Sequence, residues 1–260
     1  LHSGPVLEVH NLSMTFPPEI NQRNDRKTSG LRALRDVSFT VDHQEFVCVI
    51  GPSGSGKSTL LRVLAGLLEP TSGEVLFCPE DENGYEPRIG LVFQQANLMP
   101  WRTVMQNITL PLELMGVAAD QAFRKAQEMI DMTGLQGFED TWPEDLSGGM
   151  AQRVALSRAL IADPDFLLLD EPFGALDALT REHMGTELLY LRQERRKTVI
   201  MVTHSISEAL LLADRVLVMS QRPGRILLDM PVDLPRPRLD EMRYTHQFGT
   251  MVRYLRAAIG

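Results

Sequence analysis

Gly51-Pro-Ser-Gly-Ser-Gly-Lys-Ser-Thr59 decides the reading of this chain. It fits the pattern GxxxxGK(S/T) and lies between an apolar run, Phe46 to Ile50, and a helix-like stretch, Thr59 to Leu68. A strand feeding a glycine-rich loop that opens a helix aims several backbone N–H groups at one point, and the helix dipole adds positive potential there. Gly51, Gly54 and Gly56 let the backbone turn left-handed and approach an anion with no Cβ in the way. In such a cradle Lys57 reaches β- and γ-phosphates, Ser58 offers its hydroxyl to Mg²⁺, and Thr59 hydrogen-bonds an α-phosphate. A chance glycine-rich turn is the alternative; the strand and helix on either side weigh against it.

Outward from that loop, 260 residues suffice to bury a sizeable core, as one large α/β domain or as two smaller units. The net charge of −8 and pI near 5.3 carry no electrostatic footprint for nucleic acid, so an anionic nucleotide has to be held locally. Cys48 and Cys78 show no CxxC spacing and no accompanying histidine cluster, which excludes the usual metal and redox patterns. Cys48, inside an apolar run, reads as a small buried hydrophobe. No apolar run is long enough to span a bilayer and no charged start precedes an apolar core, so a soluble, intracellular chain is expected.

Val6 to Phe16 and Ala33 to Val41 read as strands, the second with Val37, Phe39 and Val41 alternating against Asp36, Ser38 and Thr40. Alternation leaves one face solvated, as in an antiparallel sheet. The polar stretch between them, Pro17 to Gly30, reads as a mobile loop. Phe16 presents an aromatic face just before it, open to core packing or to ligand contact. Ile89 to Phe93, Phe166 to Leu169 and Thr198 to Val202 are apolar on both faces and belong in a parallel sheet covered by helices. Between the first two lies a helix-rich insertion, residues 97–162, rich in Met, Leu and Gln. A helix over Ile206 to Ala213 and strands over Val216 to Met219 and Ile226 to Leu228 follow. A proline-bearing tail from Pro231 then ends in an amphipathic stretch, Met242 to Ile259. No internal repeat is present, so one nucleotide unit is expected per chain.

Phe166-Leu-Leu-Leu-Asp-Glu-Pro172 is a buried strand ending in two acids. Asp170, at the carboxyl end where parallel sheets bind ligands, suits the orientation of Mg²⁺. Glu171, which need not hold the metal, can polarise a water for in-line attack on a γ-phosphate. An acidic strand end that merely turns the chain is the bland alternative. Leu146-Ser-Gly-Gly-Met-Ala-Gln-Arg153 precedes a helical pattern; Ser147 would cap it, and Gly148 and Gly149 would leave bare N–H groups as a second anion site. Taken alone it is equally an ordinary helix start.

Together these stretches resemble the ATP-binding subunits of ABC transporters, over roughly Val6 to Leu228. Gly51, Pro52, Ser53, Gly54, Ser55, Gly56, Lys57 and Ser58 resemble the Walker A motif, and Leu167 to Glu171 the Walker B motif with its catalytic glutamate. Leu146 to Arg153 is similar to the LSGGQ signature, with Met150 where Gln is usual. Val92-Phe-Gln94 looks like the Q-loop, Ala175-Leu-Asp177 the D-loop and Val202-Thr-His204 the switch histidine. Phe16 matches the aromatic residue that stacks on adenine, more often Tyr. Six motifs stand in the family's order.

The resemblance implies an α/β, P-loop NTPase core with a mainly parallel sheet, an antiparallel β subdomain and an inserted α-helical subdomain. It further implies a single ATPase domain over 1–260: a core of 6–96 and 163–230, a helical subdomain of 97–162 and a tail of 231–260. ATP and Mg²⁺ are the implied ligands. Gln94 would sense Mg²⁺ and the attacking water, and His204 would hold the γ-phosphate and Glu171. Ser147, Gly148, Gly149 and Asp177 would meet the ATP of a second copy in a head-to-tail sandwich. The further implied partners are integral membrane permease subunits and, indirectly, a periplasmic or extracellular solute-binding protein. This places the chain peripherally on the cytoplasmic face of a bacterial inner membrane. Leu98-Met-Pro-Trp101 would line the permease groove, although Trp101 equally suits core packing. Ala96 to Val104, Pro172 to Arg181 and Ser220-Gln-Arg-Pro-Gly-Arg225 resemble the importers of nitrate, alkanesulfonates, taurine and related solutes. A soluble ABC ATPase of DNA repair or translation would need coiled coils or a second cassette. A non-hydrolysing regulatory cassette would not need Glu171 and His204.

Overall fold

A computed structural model describes residues 4–18, 30–77, 87–174, 176–195 and 197–260. Most of the expected Pro17–Gly30 loop, and Cys78 and Ala175, lie outside them. The chain packs as two compact units, residues 1–86 with 202–260, and residues 87–201.

In the first unit β1 (Leu7–Phe16) pairs antiparallel with both β2 (Leu31–Val41) and β4 (Ser72–Phe77). The alternation in β2 is observed: Val37, Phe39 and Val41 are buried and Asp36, Ser38 and Thr40 exposed. Upstream the alternation slips, because the register shifts between Leu12 and Met14 and Asp36 takes a left-handed φ of 49°. β4 was missed because its apolar residues, Val75, Leu76 and Phe77, stand side by side after Ser72-Gly73-Glu74 and do not alternate, and none of them is buried. The phosphate-loop strand, β3 (Phe46–Ile50), is buried at every position and parallel to β8 (Arg215–Met219). β9 (Ile226–Pro231) lies antiparallel against β8 and runs three residues past the expected Leu228.

Among the described residues this unit also holds α1 (Lys57–Leu64), α6 (Ile206–Leu212) and α7 (His246–Ile259). α1 starts two residues before the expected Thr59 and stops four short of Leu68. Its start is set by Gly56, left-handed at φ 98°. Its end is set by Gly66 at φ 70°, where Gly66 N–H donates to Val63 O (3.0 Å) and Leu67 N–H to Arg62 O (2.9 Å). The tail that leads to α7 is fastened by Arg238, which is 9% exposed. Its guanidinium donates to the carbonyls of Leu210 (3.0 Å), Ala213, Val232 (3.0 Å) and Leu234 (3.3 Å), tying the end of α6 to the segment after β9.

In the second unit β6 (Phe166–Asp170) lies between β5 (Ile89–Val92), to which it is parallel, and β7 (Thr198–Val202). Both β6 and β7 are buried throughout, which explains their two-sided apolar sequences. The insertion forms α2 (Val104–Leu114), α3 (Ala119–Met132) and α4 (Gly148–Leu160), with a 3₁₀ turn at Pro143–Asp145. α2 starts with a reciprocal cap between Thr103 and Gln106. α5 (Ala178–Arg195) was also missed, because it is polar along most of its length.

Candidate functional site

The glycine-rich loop closes around Lys57, which is only 6% exposed. Its ammonium donates to the carbonyls of Gly51 and Pro52 (2.9 Å each) and lies 3.4 Å from Ser55 Oγ. A positive charge at the base of a helix start gives the loop its anion preference. Gly56 fits the expected left-handed role, and a Cβ there would also stand 2.9 Å from Ala33 O. Gly51 is different. It is nearly extended at φ 159°, and what it needs is room, since a Cβ would come 2.7 Å from Met219 O.

Phe16 and His204 belong to the same unit as the loop. Phe16 is half-buried at the end of β1, opposite Leu31, so it is not a core residue. His204 sits exposed in a turn that is held at both ends. Thr203 N–H donates to Val49 O of β3 (3.2 Å), and the Thr203 hydroxyl donates to Glu208 Oε2 (2.7 Å). Ser205 Oγ accepts from Glu208 N–H (3.2 Å), capping α6. The histidine is therefore anchored to the strand that feeds the phosphate loop.

In the other unit Asp170 ends β6 with 5% exposure, and Glu171 follows with a left-handed φ of 47°. That conformation is uncommon for a residue with a Cβ and turns the Glu171 carboxylate off the line of the strand. The side-chain amide of Gln94 donates to Glu171 Oε2 at 3.4 Å. Gly174 N–H donates to Glu171 O (3.1 Å), and Arg181 of α5 donates to the carbonyls of Phe173 (3.3 Å) and Leu176 (2.9 Å). The turn after the two acids is thus pinned from the following helix.

Ser147 caps α4 as expected, its Oγ accepting from Met150 N–H (3.2 Å), and Ser147 and Gly148 are exposed. The same helix holds the segment that carries Gln94. Gln152 donates to Phe93 O (3.1 Å), and Arg158 donates to the carbonyls of Ala96 (2.9 Å) and Asn97 (3.0 Å). Burial pulls the Arg158 pKa below its ordinary value. Asn107, fully buried in α2, donates to the carbonyls of Met99, Arg102 and Thr103 and accepts from Met99 N–H. Sequence reasoning missed Gln152, Arg158 and Asn107; a buried amide in an apolar helix face was the available signal. Asp177 begins α5, accepting from Thr180 N–H (3.0 Å) and from the Thr180 hydroxyl (2.7 Å). Trp101 is 69% exposed, which removes core packing within this chain as its explanation.

The sequence profile of the ABC transporter family matches residues 34–174. The chain belongs to the ABC transporter family. It is 48% identical over 232 residues to an uncharacterised ABC transporter ATP-binding protein of Methanocaldococcus jannaschii, covering 89% of this chain and 84% of that one. Similarity to a taurine import ATP-binding protein of Pelagibacter ubique reaches 48% over 216 residues, 83% of this chain and 79% of the relative. An aliphatic sulfonates import ATP-binding protein of Bacillus licheniformis is 47% identical over 226 residues, 86% and 88% of the two chains. Among solved structures, a dimeric post-hydrolysis ATP-binding cassette bound to ADP and phosphate matches with a TM-score of 0.76 at 32% identity. That match covers 88% of this chain and 100% of the other. The ABC transporter chain accordingly has the α/β, P-loop NTPase architecture, with parallel strands, an antiparallel sheet and inserted helices. Among its described residues no helix is long and apolar enough to cross a membrane.

Proposed function

We propose that this chain is the ATP-binding and ATP-hydrolysing subunit of an importer for a small sulfonate-like anion of the taurine and alkanesulfonate type. The observation that carries the reading is the loop around Lys57: a buried ammonium at a helix start suits a polyanion and little else. Likeness to two import ATP-binding proteins across more than four-fifths of the chain supports the transport role.

Lys57 and backbone N–H groups of the glycine-rich loop bind the β- and γ-phosphates, Thr59 the α-phosphate, and Phe16 stacks on the adenine. Glu171 takes a proton from the attacking water, oriented by Gln94, while His204 stabilises the γ-phosphate. Ser58, Asp170 and Gln94 supply oxygen donors, the set a hard Mg²⁺ ion takes; when bound, Mg²⁺ neutralises phosphate charge. Ser147, Gly148, Gly149 and Asp177 act on the ATP held by a second copy, so nucleotide joins two copies head to tail. The exposed start of α4 supports this, since a bare helix N-terminus with small residues accepts a phosphate.

The whole of 1–260 acts as one ATPase domain, with 97–162 its helical subdomain and 231–260 a short tail. Permease subunits dock near Trp101, and a solute-binding protein acts through them. The chain thus works peripherally at the cytoplasmic face of a bacterial inner membrane. The test is ATP turnover by the chain reconstituted with its permease. Turnover stimulated by solute-loaded receptor and abolished in Glu171→Gln, with ATP binding retained, supports the reading. Normal turnover in that variant removes Glu171 as the base.

A further inference from the structure

Ser220-Gln-Arg-Pro-Gly-Arg225, the turn between β8 and β9, has no part in the function described so far. It is closely built. Ser220 N–H donates to Arg225 O (2.9 Å), Arg225 N–H donates to Ser220 Oγ (3.0 Å), and the same hydroxyl lies 2.7 Å from Gln221 O and 3.1 Å from Pro223 O. Its outer side is stitched to β2, with Gly224 N–H donating to Ala33 O and Arg35 N–H to Gly224 O, both 2.9 Å.

Its inner side lies against the phosphate loop at two points. A Cβ on Gly224 would stand 2.1 Å from Ser55 O, so the turn's backbone approaches the loop's backbone as closely as glycine alone allows. Arg222 Nε donates to Gly54 O at 3.3 Å. The loop is fixed from β2 as well, through the close approach of Gly56 to Ala33 and Leu34. Gly54 and Ser55 lie between β3 and α1, and Ser55 is fully buried there with its N–H donating to Pro52 O (3.2 Å).

We propose that Arg222 and Gly224 are positioning residues that hold Gly54 and Ser55 of the phosphate loop in its nucleotide-binding shape. The proposal rests on the ATP-binding reading of that loop. Neither residue touches phosphate in this scheme. Arg222 fixes the direction of the Gly54 carbonyl, which sets the plane of the Gly54–Ser55 peptide and so keeps the Ser55 N–H on Pro52 O (3.2 Å), the bond that closes the loop's own turn. Gly224 supplies the flat wall against which Ser55 rests. An ordered loop spares the ligand the entropy of ordering it, so the brace acts on nucleotide affinity more than on the rate of the bound complex.

Three variants of the full chain test this: Arg222→Ala, Arg222→Gln and Gly224→Ala, with Mg-ATP as the probe. Binding affinity, the KM and kcat of the reconstituted complex, and the melting temperature without nucleotide are measured together. Arg222→Ala should weaken ATP binding about fivefold with kcat at saturation nearly kept, the scale expected from one hydrogen bond. Gly224→Ala should weaken it at least about tenfold, since backbone must move. Gln carries a donor at the same position on its stem as the Arg Nε, so Arg222→Gln should recover most of the affinity. If Arg222→Gln binds as poorly as Arg222→Ala, the guanidinium charge acts on phosphate and the brace is wrong. Wild-type ATP affinity in both Arg222→Ala and Gly224→Ala, or a fall in melting temperature with KM unchanged, overturns the proposal. A wild-type chain that binds no ATP would instead overturn the function from which it starts.

Discussion

Gln94 and Glu171 meet side chain to side chain, the amide donating to the carboxylate at 3.4 Å, although 76 residues separate them in the sequence. One stands past the end of β5 and the other past the end of β6, two parallel neighbours whose carboxyl ends share an edge. The contact couples the residue proposed to activate water to a segment that α4 also grips through Gln152 and Arg158.

From that contact, Glu171→Gln should lower ATP turnover by at least about a hundredfold while leaving ATP affinity near wild type. Gln94→Ala should cost less, on the order of tenfold, because it orients the water without taking its proton. Phosphate release and equilibrium ATP binding, measured side by side, check both.

Removing the ammonium by Lys57→Ala should weaken ATP binding by roughly 10- to 100-fold, the scale of a lost charged hydrogen bond. Equilibrium binding of ATP decides this, and unchanged affinity would count against the phosphate-cradle reading.

Ser147→Ala deletes the cap of α4 and should cost about 1 kcal/mol of stability. If the same hydroxyl also meets a second copy's ATP, nucleotide-dependent dimerisation should fall further than that loss explains. Sedimentation with and without ATP in a non-hydrolysing Glu171→Gln background reads the difference.

Asn107 satisfies its amide with four backbone partners while fully buried. Asn107→Ala should destabilise the chain by about 2 kcal/mol, because the Met99 N–H loses its acceptor and the Arg102 carbonyl its donor, while the Met99 and Thr103 carbonyls keep backbone donors. A denaturant titration whose midpoint does not move would refute it.

A hydrogen bond from Arg102, helped by one from Thr109, holds the Glu113 carboxyl below the usual carboxylate range. A pKa lowered by folding gives stability that is complete at neutral pH and is lost as pH falls through the folded-state value. Arg102→Ala should therefore flatten the acid limb of the stability curve and change it by no more than a few tenths of a kcal/mol near neutrality, since the pair is partly exposed.

What the sequence revealed follows from where chemistry leaves a pattern. Buried strands such as Phe166–Asp170 are apolar throughout, and the loop of Gly51 to Thr59 needs particular residues at particular spacings, so both were legible. β4 and α5 were not: the apolar residues of β4, Val75 to Phe77, are consecutive with none buried, and α5 is polar along most of its length, so neither shows a strand or helix period. The end of α1 was misjudged for a different reason: Leu67 and Leu68 continue the apolar run, but Gly66 turns the backbone left-handed before they are reached. The left-handed backbone at Glu171 left no trace in residue type, since glutamate gives no sign of it. The brace from Gly224 was visible only as a Pro-Gly turn, with nothing to say what it leans on.

Arg238 gives the C-terminal region a standing its length does not suggest. A polypeptide cut before Arg238 would lose the one side chain on which four main-chain oxygens converge, so a truncation that reaches it is no neutral trim. A reporter fused to this protein should leave that fastening whole.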